Sequence, residues 1–201
     1  MTDLAVLVAD KDIEQALRGL LSRRCHSLGI HEPATKIFQH PDRDPGCYHR
    51  PGEVLQPHLG GCGLVVLDAA WKGRPAGPGS SLEETVWQKL VTLGWEARRV
   101  AAVVIEPELE AWVWSDSPRV AEVLGWNDMT ELGGWLHNQG LWPQGEPKPP
   151  DPKESLRRAL READRPCTPR VFGELAERVS VNRCRDPSFQ RLRDQLVAWF
   201  G

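Results

Sequence analysis

The sequence predicts an α/β protein with a small parallel sheet in its first half and helices throughout its second half. Three apolar segments of strand length (residues 4–9, 63–67 and 100–105) contain no charged residue. Such continuous apolar runs are typical of strands that are buried on both faces of a parallel sheet. Because helical patterns separate these segments, we expect parallel strands joined by right-handed crossovers.

The predicted elements follow one another in a regular order. After the first strand, apolar residues recur at helical spacing from Ile13 to Leu21, and Asp12 with Gln15 resembles a capping box. Residues 35–38 form a weaker strand candidate, and residues 40–61, rich in Pro, Gly, His and Asp, predict a long irregular connection. Ser81 and Glu84 predict the start of a helix that runs to about Leu93.

No strong strand follows Glu106, and the remaining chain predicts helices. Four dipeptides place a capping oxygen directly before a proline, which suits the first position of a helix because its missing N–H costs nothing there. They are Ser117-Pro118, Asp151-Pro152, Thr168-Pro169 and Asp186-Pro187. We therefore expect an α/β core over residues 1–116 and a helical region over residues 117–201 that packs on it.

Composition excludes several classes of protein. The chain has 201 residues, enough for one sizeable core, and its net charge of -3 gives no global nucleic-acid signal. No segment reaches the apolar length of a membrane span, and no signal peptide is apparent. The five cysteines contain no CxxC pair, so we expect reduced thiols and a cytoplasmic location. The nine tryptophans indicate core packing or, alternatively, a base-stacking surface.

Acidic residues follow each strong strand. Asp10 and Asp12 follow the first, Asp68 ends the second, and Glu106 follows the third, with Glu108 and Glu110 just beyond. Ligands of open parallel sheets bind outside the carboxyl ends of the strands. Crowded carboxylates repel one another unless a cation neutralises them, and Mg²⁺ or Mn²⁺ prefers oxygen ligands. The alternative is that each acid caps a helix or a turn.

A family resemblance adds to this pattern. The motif Ile105-Glu106-Pro107-Glu108-Leu109-Glu110-Ala111-Trp112 resembles a PE-x-EAW signature of small bacterial Toprim-like proteins of antiphage defence, including components of methylation-associated defence systems. These proteins are similar to the Toprim domains of overcoming-lysogenization-defect nucleases. The resemblance implies that Asp10 is the acid after the first strand and Asp68 the first position of a DxD motif. Ala70 stands at the second DxD position, where the family has aspartate.

Other polar residues are candidates for further sites. His40, Asp42, Asp44, Cys47 and His49 have residue types that bind zinc but no finger spacing, and His40 with Asp44 is expected to lean over the acidic site. Lys72 and Arg74 lie in a glycine-rich loop that suits phosphate or, alternatively, is an ordinary solvated loop. Lys148 and Lys153, with Arg157, Arg158 and Arg161, form the densest basic patch, which suits a nucleic-acid backbone or an ordinary solvated face.

Two functions remain open from the sequence. The first is a divalent-metal-dependent, nuclease-like defence protein that hydrolyses phosphodiesters in nucleic acid. Asp10, Asp68 and Glu106 would then hold Mg²⁺ or Mn²⁺, and Glu110 would assist as ligand or base. Lys72, Arg74, Lys148 and Lys153 would bind the substrate. The alternative is a catalytically inactive Toprim-like scaffold that binds other defence proteins. The oligomeric state cannot be read from the sequence.

Overall fold

The centre of the molecule is a four-stranded parallel sheet. A computed structural model describes residues 2–201. The strands are β1 (Leu4–Val8), β2 (Thr35–Gln39), β3 (Cys62–Asp68) and β4 (Val100–Ile105), and they lie side by side in the order β2-β1-β3-β4. Val8 pairs with Gln39 and Val66, and Asp68 pairs with Ile105. Their carboxyl ends therefore meet at one edge of the sheet.

Helices cover both faces of the sheet and form the second half of the chain. They are α1 (Lys11–Arg23), α2 (Cys25–Leu28), α3 (Arg43–His49), α4 (Gly52–Leu55), α5 (Gly79–Thr92), α6 (Pro118–Leu124), α7 (Met129–Asn138), α8 (Pro152–Glu162), α9 (Pro169–Arg178) and α10 (Pro187–Phe200). Single turns of 3-10 helix lie at Gln56–His58, Ala97–Arg99, Leu109–Trp112 and Val181–Arg183. The predicted α/β class, with helices in the second half, is confirmed.

Local signals located most elements correctly. The three apolar segments and the weaker candidate at residues 35–38 became strands with ends within a residue or two of the predicted ones. Each of the four Ser/Thr/Asp-Pro dipeptides begins a helix, with the polar residue at the N-cap and proline in the first turn. Asp151 and Asp186 also accept backbone N–H bonds there, whereas Ser117 and Thr168 do not.

Three local predictions are wrong. Asp10, and not Asp12, caps α1. The helix α5 begins at Gly79, two residues before Ser81, and has no side-chain cap of its own. The segment 40–61 is not irregular, because it contains α3 and α4. For α5 the partner is distant in the sequence, because Glu106 accepts the backbone N–H of Gly79.

The helical second half packs closely on the sheet half. The main contact joins α1 to α9, where Gly19 lets the two helices approach, since a Cβ at Gly19 would lie 2.8 Å from the carbonyl oxygen of Gly173. The helix α10 packs against β4. Together these contacts place the sheet and the second-half helices in one continuous apolar core.

The tryptophans mainly belong to this core. Trp95, Trp112 and Trp114 are buried and the other six are partly buried. The indole N–H of Trp112 donates to the hydroxyl of Ser188 at 2.7 Å, and that of Trp114 donates to the carbonyl of Pro152 at 3.0 Å. This arrangement agrees with packing and offers no exposed row of indoles for base stacking.

No helix within residues 2–201 is both long and apolar enough to span a lipid bilayer.

Candidate functional site

Asp68, the last residue of β3, lies at the centre of a group of carboxylates. Its Oδ1 is shielded from solvent and has no hydrogen-bond partner among the residues that the structure describes. Burial raises the pKa of Asp68 well above its usual range, and the charges of Asp44, Asp10, Glu110 and Glu108 raise it further. A buried carboxylate oxygen without a hydrogen-bond partner destabilises the folded protein. A bound ligand or a proton on Asp68 would remove this destabilisation.

Asp44 reaches the same place from α3. Its Oδ1 accepts the backbone N–H of Asp68 at 2.8 Å, which holds the Asp44 carboxylate against the end of β3. Burial raises the pKa of Asp44, and the charge of Asp10 adds to the rise, while the hydrogen bond from Asp68 opposes it. The structure thus brings Asp44 to the acidic site, as the sequence led us to expect.

Asp10 and Asp12 come from the loop between β1 and α1. Asp10 accepts the backbone N–H groups of Asp12 and Ile13, each at 3.0 Å, so one of its oxygens caps α1. Burial raises the pKa of Asp12, and the neighbouring charge of Asp10 adds to this. Asp10 therefore caps α1, and its charge also acts on Asp12 and Asp68.

Glu108 and Glu110 lie beside a lysine from α8. The ammonium of Lys153 donates to Oε2 of Glu108 and lies 3.7 Å from Oε1 of Glu110. Burial raises the pKa of the buried Glu110, although Lys153 opposes the rise. Burial lowers the pKa of Lys153, but the hydrogen bond to Glu108 and the charge of Glu110 outweigh it, so the net shift is upward.

We call the six carboxylates Asp10, Asp12, Asp44, Asp68, Glu108 and Glu110 the acidic cluster. Lys153 is the one cation that forms an ion pair with it among residues 2–201. Of the residues predicted as catalytic, the structure brings Asp10, Asp68 and Glu110 together here.

Glu106 has a different position. It is exposed, and its Oε1 accepts the backbone N–H of Gly79 at 3.0 Å, the first residue of α5. A Cβ at Gly79 would lie 2.9 Å from the carboxyl carbon of Glu106, so a side chain at residue 79 would displace this carboxylate. Glu106 therefore caps α5, where negative charge suits the helix dipole. The predicted ligand set of Asp10, Asp68 and Glu106 is brought together only in part.

The predicted substrate-binding residues are dispersed. Lys72 is exposed in the loop after β3, and Arg74 donates to the carbonyl of Gly77 at 3.1 Å in a recess that Glu106 also lines. Lys148 donates to the buried carboxylate of Asp186 at 2.7 Å. Lys153 alone of the four contacts the acidic cluster. The sequence contains no sign of this contact, because residues 108 and 153 share no local pattern.

The residue types of the acidic cluster suit a hard divalent cation, but their arrangement does not yet form a chelate. Over residues 2–201, no group of three or more His, Cys, Asp or Glu side chains is placed to hold a metal ion. Asp10 and Asp44 each use one oxygen on a backbone N–H, and Lys153 occupies the space between two glutamates. The unpartnered oxygen of Asp68 is the donor that fits a cation best.

The suggested zinc residues do not assemble either. The imidazole of His40 is buried, and its Nδ1 accepts the backbone N–H of Asp42 at 3.1 Å. Cys47 is also buried, and burial strongly raises the pKa of its thiol, which disfavours the thiolate that zinc requires. The loop is therefore organised by packing and hydrogen bonds.

Comparison with known proteins gives no significant match to a family model, to a curated protein or to a solved structure.

Proposed function

We propose that this protein binds a divalent cation at the acidic cluster and hydrolyses phosphodiester bonds in nucleic acid. The observation that carries the proposal is the buried, unpartnered Oδ1 of Asp68 among four other carboxylates. Proteins rarely leave such an oxygen without a partner, and perturbed carboxyl groups cluster at functional sites.

The charge balance of the cluster supports a bound cation. The acidic cluster contains six carboxylates, and within residues 2–201 only Lys153 forms an ion pair with it, so like charges dominate. Burial lowers the dielectric screening between them and increases the repulsion. A divalent cation would relieve this repulsion, which gives the folded protein an affinity for it.

Roles follow from the position of each group. Asp68, Asp10 and Glu110 are the residues that would hold Mg²⁺ or Mn²⁺, with Asp68 as the central donor. The bound ion would supply charge neutralisation on phosphate and a water of lowered pKa. Asp44 positions Asp68 through its backbone N–H. If Glu110 is not a ligand it would act as the base, since burial raises its pKa above the usual range and strengthens it as a proton acceptor.

A place in bacterial antiphage defence is part of the same proposal. Its support is the resemblance of residues 105–112 to Toprim-like defence proteins. Because one fold hosts many activities, the acidic cluster and not the resemblance has to be tested.

The experiment measures cleavage by the full chain of labelled single- and double-stranded DNA and RNA, with Mg²⁺, with Mn²⁺ and with a chelator. We expect cation-dependent cleavage that Asp68→Asn abolishes. Asp194→Asn, which removes an exposed carboxylate on α10, is the matched control and keeps activity. Equal rates for wild type and Asp68→Asn would refute the proposal.

Glu106→Gln decides between two ligand sets. If Asp10, Asp68 and Glu110 are the ligands, this variant retains cleavage, because the amide oxygen still accepts from Gly79. If it loses cleavage without losing stability, the set of Asp10, Asp68 and Glu106 is the correct one.

A second candidate is a scaffold subunit without catalysis. Two observations favour it: Lys153 already neutralises part of the acidic cluster, and Glu106 is engaged as a helix cap. The tryptophans would not supply its interface, because none of the nine is exposed. Calorimetric titration with Mn²⁺ separates the two candidates, since a scaffold of this kind binds no ion at the acidic cluster.

A further inference from the structure

A row of cations runs along α8. Lys153, Arg157 and Arg161 follow one another at intervals of four residues, so they lie on the same face of the helix. Leu156 and Leu160, on the adjoining face of the helix, are buried in the core. Lys153 is engaged with Glu108 and Glu110. Arg157 and Arg161 are exposed and form no ion pair with any part of the chain that the structure describes.

The row leads away from the acidic cluster. Its Lys153 end touches the glutamates, and the next member, Arg157, is among the cations that oppose the burial-driven rise in the pKa of Asp12. Arg157 and Arg161 then line an open recess of about 550 Å³ together with Arg165. Eight residues of helix span about 12 Å, so the row covers the distance from the acidic cluster to this recess.

The nearby acids do not cancel the row. Glu154 lies 4.0 Å from Arg158, on another face of α8, and Arg165 is paired with Glu174 at 3.3 Å. Asp164 is the one carboxylate that lines the recess. Two guanidinium groups therefore remain available on this surface. A guanidinium group offers a planar fork of donors that matches the oxygens of a phosphate.

We propose that Arg157 and Arg161 bind the sugar–phosphate backbone of a nucleic-acid strand and guide it to the acidic cluster. The spacing of the row suits a polymer that carries charge at regular intervals. An acidic protein segment is the alternative occupant, and the competition with polyglutamate described below tests it. Delivery of the nucleic acid to the acidic cluster rests on the proposed function, whereas binding of the nucleic acid to α8 does not.

The test is fluorescence anisotropy of the full chain with a short labelled single-stranded oligonucleotide, in chelator to prevent cleavage, over a range of salt. Each phosphate contact contributes about 0.7 to the slope of log affinity against log salt. The double variant Arg157→Gln/Arg161→Gln should lower that slope by about 1.4, which is about 25-fold weaker binding near 0.1 M salt.

The matched control is Arg23→Gln/Lys36→Gln. It removes the same charge from two exposed side chains away from the carboxyl ends of the strands, at the end of α1 and near the start of β2. We expect its affinity to stay within about twofold of wild type. The inference is overturned if wild type does not bind, if control and test variants lose affinity equally, or if polyglutamate of matched charge displaces the oligonucleotide equally well.

Failure of this inference differs from failure of the proposed function. If binding depends on both arginines but no cleavage occurs in Mg²⁺ or Mn²⁺, strand binding by α8 is supported and the proposed nuclease activity is refuted. If the double arginine variant cleaves with an unchanged KM, strand binding by Arg157 and Arg161 is refuted and the proposed nuclease activity is not.

Discussion

Replacing Asp68 by Asn should make the protein more stable at neutral pH. The substitution keeps the shape of the side chain and removes a charge that has an unpartnered, buried oxygen and four acidic neighbours. A buried carboxylate among like charges costs more than a neutral amide of the same shape, so we expect a gain of about 1–3 kcal/mol in the free energy of unfolding when no divalent cation is present.

The gain translates into a measurable melting shift. Unfolding entropy is about 2.1 cal/mol/K per residue, or about 0.4 kcal/mol/K for a chain of 201 residues. The Tm of Asp68→Asn should therefore rise by about 2–7 °C in chelator. Most substitutions at the end of a buried strand lower Tm, so a rise would indicate that removing the negative charge of Asp68 stabilises the protein.

The effect has a defined pH dependence. Burial, followed by the charges of Asp44 and Asp10, raises the pKa of Asp68 in the folded state above its unfolded value. The folded protein then binds the proton more tightly, so the cost of Asp68 is absent below the unfolded pKa of about 3.9 and grows as the pH rises to the folded pKa. The advantage of Asp68→Asn should narrow towards pH 4.

Thermal and urea unfolding of both proteins, with chelator and with Mn²⁺, provide the assay. We expect Mn²⁺ to stabilise wild type and to leave Asp68→Asn unchanged, because binding to the native state adds stability. Asp194→Asn is the control for loss of an exposed carboxylate. A loss of more than about 1 kcal/mol for Asp68→Asn at pH 7 in chelator would show that the carboxylate is favourably paired and would refute the reasoning.

Three further predictions follow from individual contacts. Lys153→Met removes an ammonium that competes for the acidic cluster, so Mn²⁺ should bind about fivefold more tightly by calorimetry; weaker binding would contradict this. Lys148→Met should lower stability in urea by about 2–3 kcal/mol at pH 7, since it leaves buried Asp186 without its cation. Burial raises the pKa of Asp186, but the hydrogen bonds from Lys148 and Ser188 lower it by more, so the net shift is downward. The loss of stability in Lys148→Met should therefore persist until the pH falls below about 4. Gly19→Ala should destabilise by about 1–3 kcal/mol because its Cβ meets the backbone of α9 at 2.8 Å, whereas Gly134→Ala, with open space around it, should not; equal effects would refute the packing argument.

The elements that the sequence predicted well are those with local causes. Apolar runs such as residues 63–67 are strands because both faces of a central parallel strand are buried, and this requirement is written in consecutive residues. The Asp151-Pro152 and Asp186-Pro187 dipeptides begin helices because capping and the fixed φ of proline act within one turn.

The wrong start that the sequence predicted for α5 has a cause that lies far away in the sequence. Ser81 and Glu84 fit a capping box, but α5 starts at Gly79 because Glu106 reaches its N–H from the end of β4. The sequence could not show which way the carboxylate of Glu106 turns, since this depends on the path of the loop that brings Gly79 to it.

The amino-acid sequence by itself determined the α/β class, the strands and the presence of acids at their carboxyl ends, because short-range patterning and strand direction suffice for these. Only the tertiary structure decided which side chains meet: it joined Asp44 to Asp68, placed Lys153 between Glu108 and Glu110, and turned Glu106 towards α5. The physical reason is that a site is made of contacts between segments distant along the chain, and their geometry depends on how the whole core packs.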